Sequence, residues 1–324
     1  MNTAEKLEVI NQVVTDDYSI YNADTVEIAQ SLPSNSVGFS IFSPPFETLY
    51  TYSNSDRDMG NSRTSDEFWS HYKFLIREQF RVMQPGRLVA IHCMNLPTSK
   101  TNHGYIGIRD FRGEIIRSYS DAGFYYHSEV CIWKDPVVAM QRTKALGLLH
   151  KQLQKDSAMS RQGIADYLVV MRKPGYNDNP VTGPLNHFVG EDIPPNFKPV
   201  EYDEYRNGYI PENENASVID IWQRYASPIW MDIRQTNTLQ YQTARASDDE
   251  RHICPLQLDV IERSLQLWTK SGDIVWSPFM GIGSEGYVSV QMGRKFIGAE
   301  LKASYFELAK RNMAMANKIQ EELF

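Results

Sequence analysis

The sequence predicts an α/β protein built on a doubly wound, mostly parallel sheet that carries a long inserted segment. Apolar runs of strand length alternate with stretches of helical period, the pattern of parallel strands joined through helices. Two of these runs end in turns rich in Pro or Gly, the kind of edge at which open parallel sheets hold their ligands. Size agrees: 324 residues, 42% of them hydrophobic, suffice for one large core plus an insertion.

Residues 18–24 read as a short strand, and Asp24 at its end is placed to cap a helix running to Leu32. Residues 37–43, Val-Gly-Phe-Ser-Ile-Phe-Ser, form a strand apolar on both faces. A polar stretch at 53–63 follows and is expected to lie as a mobile loop over the site at that strand end. Ser65 is the expected cap of the next helix, with Asp66 and Glu67 in its first turn and Phe68, Tyr72, Leu75 and Phe80 on its apolar face. Pro85-Gly86 ends it. Residues 87–93 make a buried strand whose trailing loop, 94–100, opens at the same sheet edge as Ser43. A helix at 111–122 and strands at 125–133 and 167–171 come next, then a helix at 256–268 and strands at 273–279 and 294–301. No internal repeat or heptad is present. Three segments result: 1–133 and 251–324 each supply half of the sheet, and 134–250 supplies an edge strand and insertions.

The net charge of −7 is unevenly spread. Residues 134–173 hold eight Lys or Arg against three Asp, among them Arg142, Lys144, Lys151, Lys155 and Arg161. Such a segment can neutralise phosphates, although a charge run is also what a solvated face looks like. Residues 191–220 hold eight acids against Lys198 and Arg206, and their Pro, Gly and Asn content reads as a long surface loop or poorly ordered insert. No apolar run reaches the roughly eighteen residues a membrane span needs, and the first residues lack a signal-peptide core, so cytoplasmic placement is expected. Cys93, Cys131 and Cys254 lie far apart with no Cys-x-x-Cys and no clustered His, which argues against a disulfide framework or a zinc site. Cys93 and Cys131 fall in strands as buried small hydrophobes.

Ser43-Pro44-Pro45-Phe46 closes the first apolar strand. A Ser oxygen and a prolyl carbonyl are acceptors for the two N–H bonds of an amino group whose lone pair is delocalised into a ring; accepting from both localises that pair on nitrogen. Consecutive prolines hold the acceptors still and remove competing N–H groups. Phe46 offers a stacking surface for a flat heterocycle. A Pro-rich turn is the plain alternative, so the decision rests on a second site. There, Asp273-Ile-Val-Trp-Ser-Pro-Phe279 runs into glycines 281, 283 and 286 and then a helix, a turn that lets backbone approach a ligand and presents free N–H groups. Glu300 ends the following strand about twenty positions on, where a ribose diol is held. This half alone serves dinucleotides equally well.

Taken together, Ser43-Pro-Pro-Phe46 early, then Ser277-Pro-Phe-Met-Gly-Ile-Gly283 and Gly298-Ala-Glu300-Leu late, resemble the β-class DNA amino-methyltransferases. The resemblance covers roughly residues 18–173 and 217–313 and includes the permuted order of that class, catalytic motif before cofactor motif. It implies a Rossmann-like methyltransferase sheet in permuted order with an inserted recognition region, S-adenosylmethionine as donor and double-stranded DNA as substrate, with the 125–133 and 167–171 strands pairing as an antiparallel hairpin at one sheet edge. It implies that Ser43, Pro44, Pro45 and Phe46 receive a flipped base, that Phe279, Gly281 and Gly283 line the donor's methionine, and that Glu300 takes the ribose. Asp24 is placed near the donor's adenine, and His252 with Pro255 look like a third cofactor element. The family's Asp is Ser277 here, and its threonines are Ser284-Glu285, so at these positions the resemblance does not carry over how the donor's sulfonium and amino groups are held. Ser at the head of the catalytic loop leans toward cytosine N4 over adenine N6. Recognition is expected at 134–166 and 176–250; residues 221–225 with Trp230 and Asp232 serve either packing or a wall of the DNA cleft. A restriction endonuclease partner is compatible with this reading. Two other classes remain open on the residues alone: a nicotinamide-dependent oxidoreductase, which leaves Ser43 to Phe46 unexplained, and a DNA-binding module without catalysis.

Overall fold

The computed structural model describes residues 9–47, 59, 62, 64–143, 149–159, 161–182, 185, 187–191, 216–240 and 255–322. The strands among these residues are β1 (Asn11–Val14), β2 (Tyr18–Asn22), β3 (Val37–Phe42), β4 (Met83–Met94), β5 (Leu96–Thr98), β6 (Gly107–Arg109), β7 (Tyr125–Ile132), β8 (Asp166–Arg172), β9 (Ile229–Trp230), β10 (Ile274–Ser277) and β11 (Lys295–Ala299). Nine of them form one sheet in the order β1-β2-β11-β10-β3-β4-β8-β7-β9, and β5 pairs β6 apart from it. Within the large sheet β2, β11, β10, β3 and β4 run parallel, β8 runs against β4 and β7, and β1 runs against β2.

Helices cover both faces, as a doubly wound sheet requires. On one lie α1 (Thr25–Ser31), α2 (Ser65–Val82) and α4 (Phe111–Asp121), which bury Ala29, Phe68, Tyr72, Leu75, Phe111, Ile115 and Tyr119 against Phe42, Ile91 and Trp276. On the other lie α8 (Leu258–Trp268), α9 (Ser284–Gln291) and α10 (Ala303–Glu322), which bury Ile261, Leu265, Val288, Phe306 and Met313 against Phe39, Ile41 and Val275. Alternation along each strand sends neighbouring side chains to opposite cores, which is why the strands read as continuous apolar runs. Short helices α3 (Lys100–His103), α5 (Pro136–Thr143) and α6 (His150–Lys155) and the helix α7 (Ala216–Tyr225) lie in the connections.

Several local expectations shift. The cap of α2 is Thr64, whose hydroxyl accepts from the Glu67 N–H at 3.2 Å, so Ser65 is the first helical residue. Pro85-Gly86 does not separate helix from strand: β4 starts at Met83, opposite Val37, bulges there, and resumes at Leu88 opposite Phe39. The bulge survives because Gly86 takes φ +74° and its N–H donates to Lys173 O at 3.0 Å. The loop after β4 is partly a hairpin, β5 with β6. Cys93 is buried, but Cys131 is only half-buried, at the mouth of the sheet next to the β9 pairing. Of the 53–63 stretch only Met59 and Ser62 are described, and the acidic segment and Cys254 lie almost wholly outside the described residues.

Candidate active site

β10 and β3 are hydrogen-bonded neighbours, with Val275 opposite Phe39 and Trp276 opposite Ser40. From β10 the chain crosses through α9 to β11 on one side; from β3 it crosses through α2 to β4 on the other. Strand order therefore reverses between them, and a cleft opens beyond their carboxyl ends. The cleft, about 1110 Å³ counting its open part, is lined by Ser43, Pro44, Pro45 and Phe46 from one wall and by Phe279, Gly281, Glu285 and Glu300 from the other, with Asp24 and Pro255 at its ends.

The loop after β3 is held from beneath. Phe46 packs on Phe111 with ring centroids 5.8 Å apart. Glu47 sits in the left-handed region at φ +49°, buried, and accepts from Trp69 Nε1–H at 3.0 Å while pairing with Arg109 at 2.5 Å. A non-glycine residue keeps that conformation only when its surroundings over-determine it. Ser43 Oγ and His92 Nδ1 share a hydrogen bond of 2.8 Å. On the far side of the ring, Nε2 lies 3.2 Å from Asp166 Oδ2, a charge contact not aligned as a hydrogen bond, and Asp166 Oδ1 meets Lys134 Nζ at 2.6 Å. Burial pushes the Asp166 carboxyl up, but the Lys134 ammonium and the His92 ring outweigh it and hold it at about 2. Sequence reasoning missed this row. Its one signal was a histidine inside an otherwise apolar strand.

On the opposite wall, the Gly281 N–H donates to Glu300 Oε2 at 3.0 Å and the Lys302 N–H to Oε1 at 2.8 Å, so the carboxylate is fixed at the strand end. Gly283 caps α9 at φ +87° behind the cleft. Ser277 and Ser284 present buried hydroxyls with no hydrogen-bond partner among the described residues. Burial raises the Glu285 carboxyl to about 8, partly offset by a backbone hydrogen bond, with Glu300 adding repulsion. Ser277, expected at the donor's charged end, is fully buried and does not line the cleft; the orphaned Ser284 hydroxyl, the buried Glu285 carboxyl and the fixed Glu300 carboxylate do, and together they fit a ligand with an amino group, a cationic centre and hydroxyls.

The DNA methylase family of the N6/N4 type has a sequence model that matches residues 37–311. The chain belongs to this family. Among curated methylases it is 22% identical to the type II methyltransferase M.BglII of Bacillus subtilis over 90% of this chain and 67% of that protein, and 24% identical to M.BamHI of Bacillus amyloliquefaciens over 89% and 55%. It thus spans about two thirds of the first and just over half of the second. In fold it is similar to the PvuII cytosine-N4-specific DNA methyltransferase, with a TM-score of 0.60 at 14% identity over 98% of this chain and 96% of that one. It is also similar to TTHA0409 of Thermus thermophilus complexed with S-adenosyl-L-methionine, with a TM-score of 0.59 at 20% identity over 90% and 91%. Membership in a methylase family sets aside the nicotinamide reading.

In this methylase the other expected residues are divided. Asp24 caps α1, accepting from the Val26 and Glu27 N–H groups at 2.7 and 3.3 Å, and also reaches the cleft. The third cofactor element is half visible: Pro255 lines the cleft, α8 begins at Leu258 and not at 256, and His252 lies outside the described residues. Arg142 belongs to α5, Lys144 lies outside the described residues, and Lys151 and Lys155 are exposed on α6. Arg161 is half-buried and donates to Gln162 O at 3.2 Å, and burial pushes its guanidinium down. Ile221, Tyr225 and Trp230 are core, with Asp232 paired to buried Arg263 at 2.8 Å, so packing accounts for them. No helix among the described residues is long and apolar enough to cross a membrane.

Proposed function

We propose that this methylase transfers a methyl group from S-adenosylmethionine to the exocyclic amino nitrogen of a flipped base in double-stranded DNA, with cytosine N4 as the acceptor. The observation that carries the reading is the shared cleft: the Ser43 to Phe46 loop and the Phe279, Gly281, Glu300 wall face one space at the switch point of the sheet. When bound, S-adenosylmethionine supplies an electrophilic methyl carbon. Glu300 suits the ribose diol, and Ser284 and Glu285 suit the donor's polar and cationic end. Ser43 Oγ and the prolyl carbonyl accept from the target amino group, drawing its lone pair out of the ring, and Phe46 stacks on the extruded base. Extrusion costs a few kcal/mol, which stacking offsets in part. Lys151 and Lys155 serve as phosphate contacts. The setting is a bacterial or phage-infected cytoplasm, with or without a restriction endonuclease acting on the same site.

Incubation of mixed-sequence duplex DNA with labelled S-adenosylmethionine, followed by nucleoside mass spectrometry, tests the proposal. Label in N4-methylcytosine is expected; label in N6-methyladenine reassigns the base, and absence of label from every nucleoside rejects the activity. Phe46→Ala is expected to lower turnover on duplex DNA at least tenfold while leaving donor affinity within about twofold, on the scale of a stacking contact. Equal turnover would remove Phe46 from the mechanism.

A further inference from the structure

We propose that His92 is a positioning residue and proton acceptor acting through Ser43, with Asp166 and Lys134 setting its state; this rests on the reading of Ser43 as an acceptor for the target amino group. The geometry is a continuous row: Ser43 Oγ to His92 Nδ1 at 2.8 Å, His92 Nε2 to Asp166 Oδ2 at 3.2 Å, and Asp166 Oδ1 to Lys134 Nζ at 2.6 Å. Four strands of the sheet supply it, since β3 ends before Ser43, His92 is near the end of β4, Asp166 opens β8 and Lys134 follows β7. Met94 and Ile132 stand opposite Asp166 in the register, which puts the carboxylate on the same face as the ring and just beyond it.

A carboxylate only accepts, so the nitrogen that faces it carries the ring hydrogen. Asp166 stays ionised through the neutral range because the Lys134 ammonium 2.6 Å away outweighs the burial that would push its carboxyl up. The Asp166 charge 3.2 Å away, though off the N–H line, therefore favours the hydrogen on Nε2, and Nδ1 is left to accept from the Ser43 hydroxyl. Two consequences follow for Ser43. Its O–H points away from the cleft, so its lone pairs face the base. It also has somewhere to pass a proton.

In the transfer the amino nitrogen bonds the methyl carbon as the donor's C–S bond breaks, and the nitrogen becomes positively charged. One of its N–H bonds then breaks toward Ser43 Oγ while the Ser43 O–H bond breaks toward His92 Nδ1. Ser43 ends as a neutral hydroxyl, and the positive charge ends on the imidazole beside Asp166, from which solvent later takes the proton. Lys134 matters because its ammonium, 2.6 Å from Asp166 Oδ1, offsets the carboxylate charge that faces the ring. Other charged groups near the strands are already matched: Arg112 and Glu129 pair at 2.7 Å on the opposite face, and Asp232 with Arg263 at 2.8 Å beside Trp230.

Two measurements test this. In nitrogen-15 imidazole spectra of the full chain, with the His92 signal identified by its loss in His92→Gln, the neutral ring is expected as the Nε2–H tautomer. An Nδ1–H tautomer, which would donate to Ser43 and have no room for its proton, overturns the proposal whatever the enzyme's activity. In single-turnover methylation across a pH series, wild type is expected to lose rate toward acid, His92→Gln to be slower by on the order of 100-fold with that acid limb flattened, and Lys134→Gln to move the limb to higher pH. Donor affinity should stay near wild type in both variants, while Lys134→Gln is expected to lower the melting temperature, because it leaves the buried Asp166 carboxylate without its ammonium. A His92→Gln profile that superimposes on wild type overturns the relay while leaving the methylase reading intact; a wild type that labels no nucleoside fails that reading instead, with the tautomer still deciding the geometry.

Discussion

Ser277 and Glu285 mark where this chain departs from the family's pattern beside the cleft. Where the family resemblance leads one to expect Asp at the strand end, this chain has a buried serine hydroxyl without a partner among the described residues, and a carboxyl appears eight positions later at the start of α9. Burial keeps that Glu285 carboxyl neutral up to about pH 8. In the unfolded chain it titrates near 4.5. Between those values the folded protein holds a proton that the unfolded chain has lost, so stability falls as pH rises through the window. Denaturant midpoints at pH 6 and pH 8 should therefore diverge in wild type by on the order of 2 kcal/mol relative to Glu285→Gln. A donor bearing positive charge restores the ionised form, so binding near pH 7 is expected to release a proton, seen by calorimetry as an enthalpy that depends on the buffer. Glu285→Gln should abolish that dependence. Asp166 behaves in the opposite sense: its carboxyl is held at about 2 against an ordinary 3.8, so the stability it contributes is present above the higher value and lost as pH falls through the lower.

At the level of elements, the site depends on strands that stop in register and on turns that bring backbone to the cleft. Beneath β3 and β10 a buried chain of hydrogen bonds holds the layers together: Tyr72 and Tyr119 hydroxyls meet at 3.2 Å, Tyr119 donates to Gln79, Gln79 donates to Ser40 at 3.4 Å, and Ser40 donates to Trp276 O at 2.9 Å. Arg87, buried in β4, reaches across β3 to Gly38 O at 2.6 Å and pairs with Asp273 ahead of β10. The start of α9 is the least forgiving point. Gly283 takes φ +87°, and a Cβ there would meet Ala309 Cβ at 3.3 Å. Gly283→Ala is expected to cost about 1–2 kcal/mol, read from the urea midpoint, because both the backbone conformation and the packing on α10 oppose a side chain. Donor binding should weaken with it, since Ser284 and Glu285 follow directly.

Across the whole molecule, the uneven charge is compatible with the proposed DNA substrate despite a net −7. Lys151 and Lys155 stand exposed on α6, in the connection between β7 and β8, away from the acidic segment in sequence. If they neutralise phosphates, the Lys151→Gln, Lys155→Gln pair should weaken duplex binding about equally for all sequences and reduce the slope of log affinity against log salt by about 2. A slope unchanged from wild type would place DNA elsewhere. The sheet edges were the hardest part of the architecture to read. β1 is four residues long with its side chains largely in solvent, β9 is two residues long, and the β5 and β6 hairpin carries no alternating pattern, so none of them presents a periodicity. Central strands were legible because burial on both faces demands an apolar run.

The amino-acid sequence by itself determined the fold class, the family and the two motifs, since each is a matter of neighbours along the chain: an apolar strand, a rigid Pro-Pro turn, a glycine turn before a helix. Tertiary structure decided what those motifs face. Sheet order puts β3 beside β10 although more than two hundred residues separate them, and the same order carries His92, Asp166 and Lys134 up behind Ser43. A single histidine in a strand or an aspartate at a strand start is chemically mute in sequence, because its role is set by which strands lie next to it, and that is settled only when both cores close on the sheet.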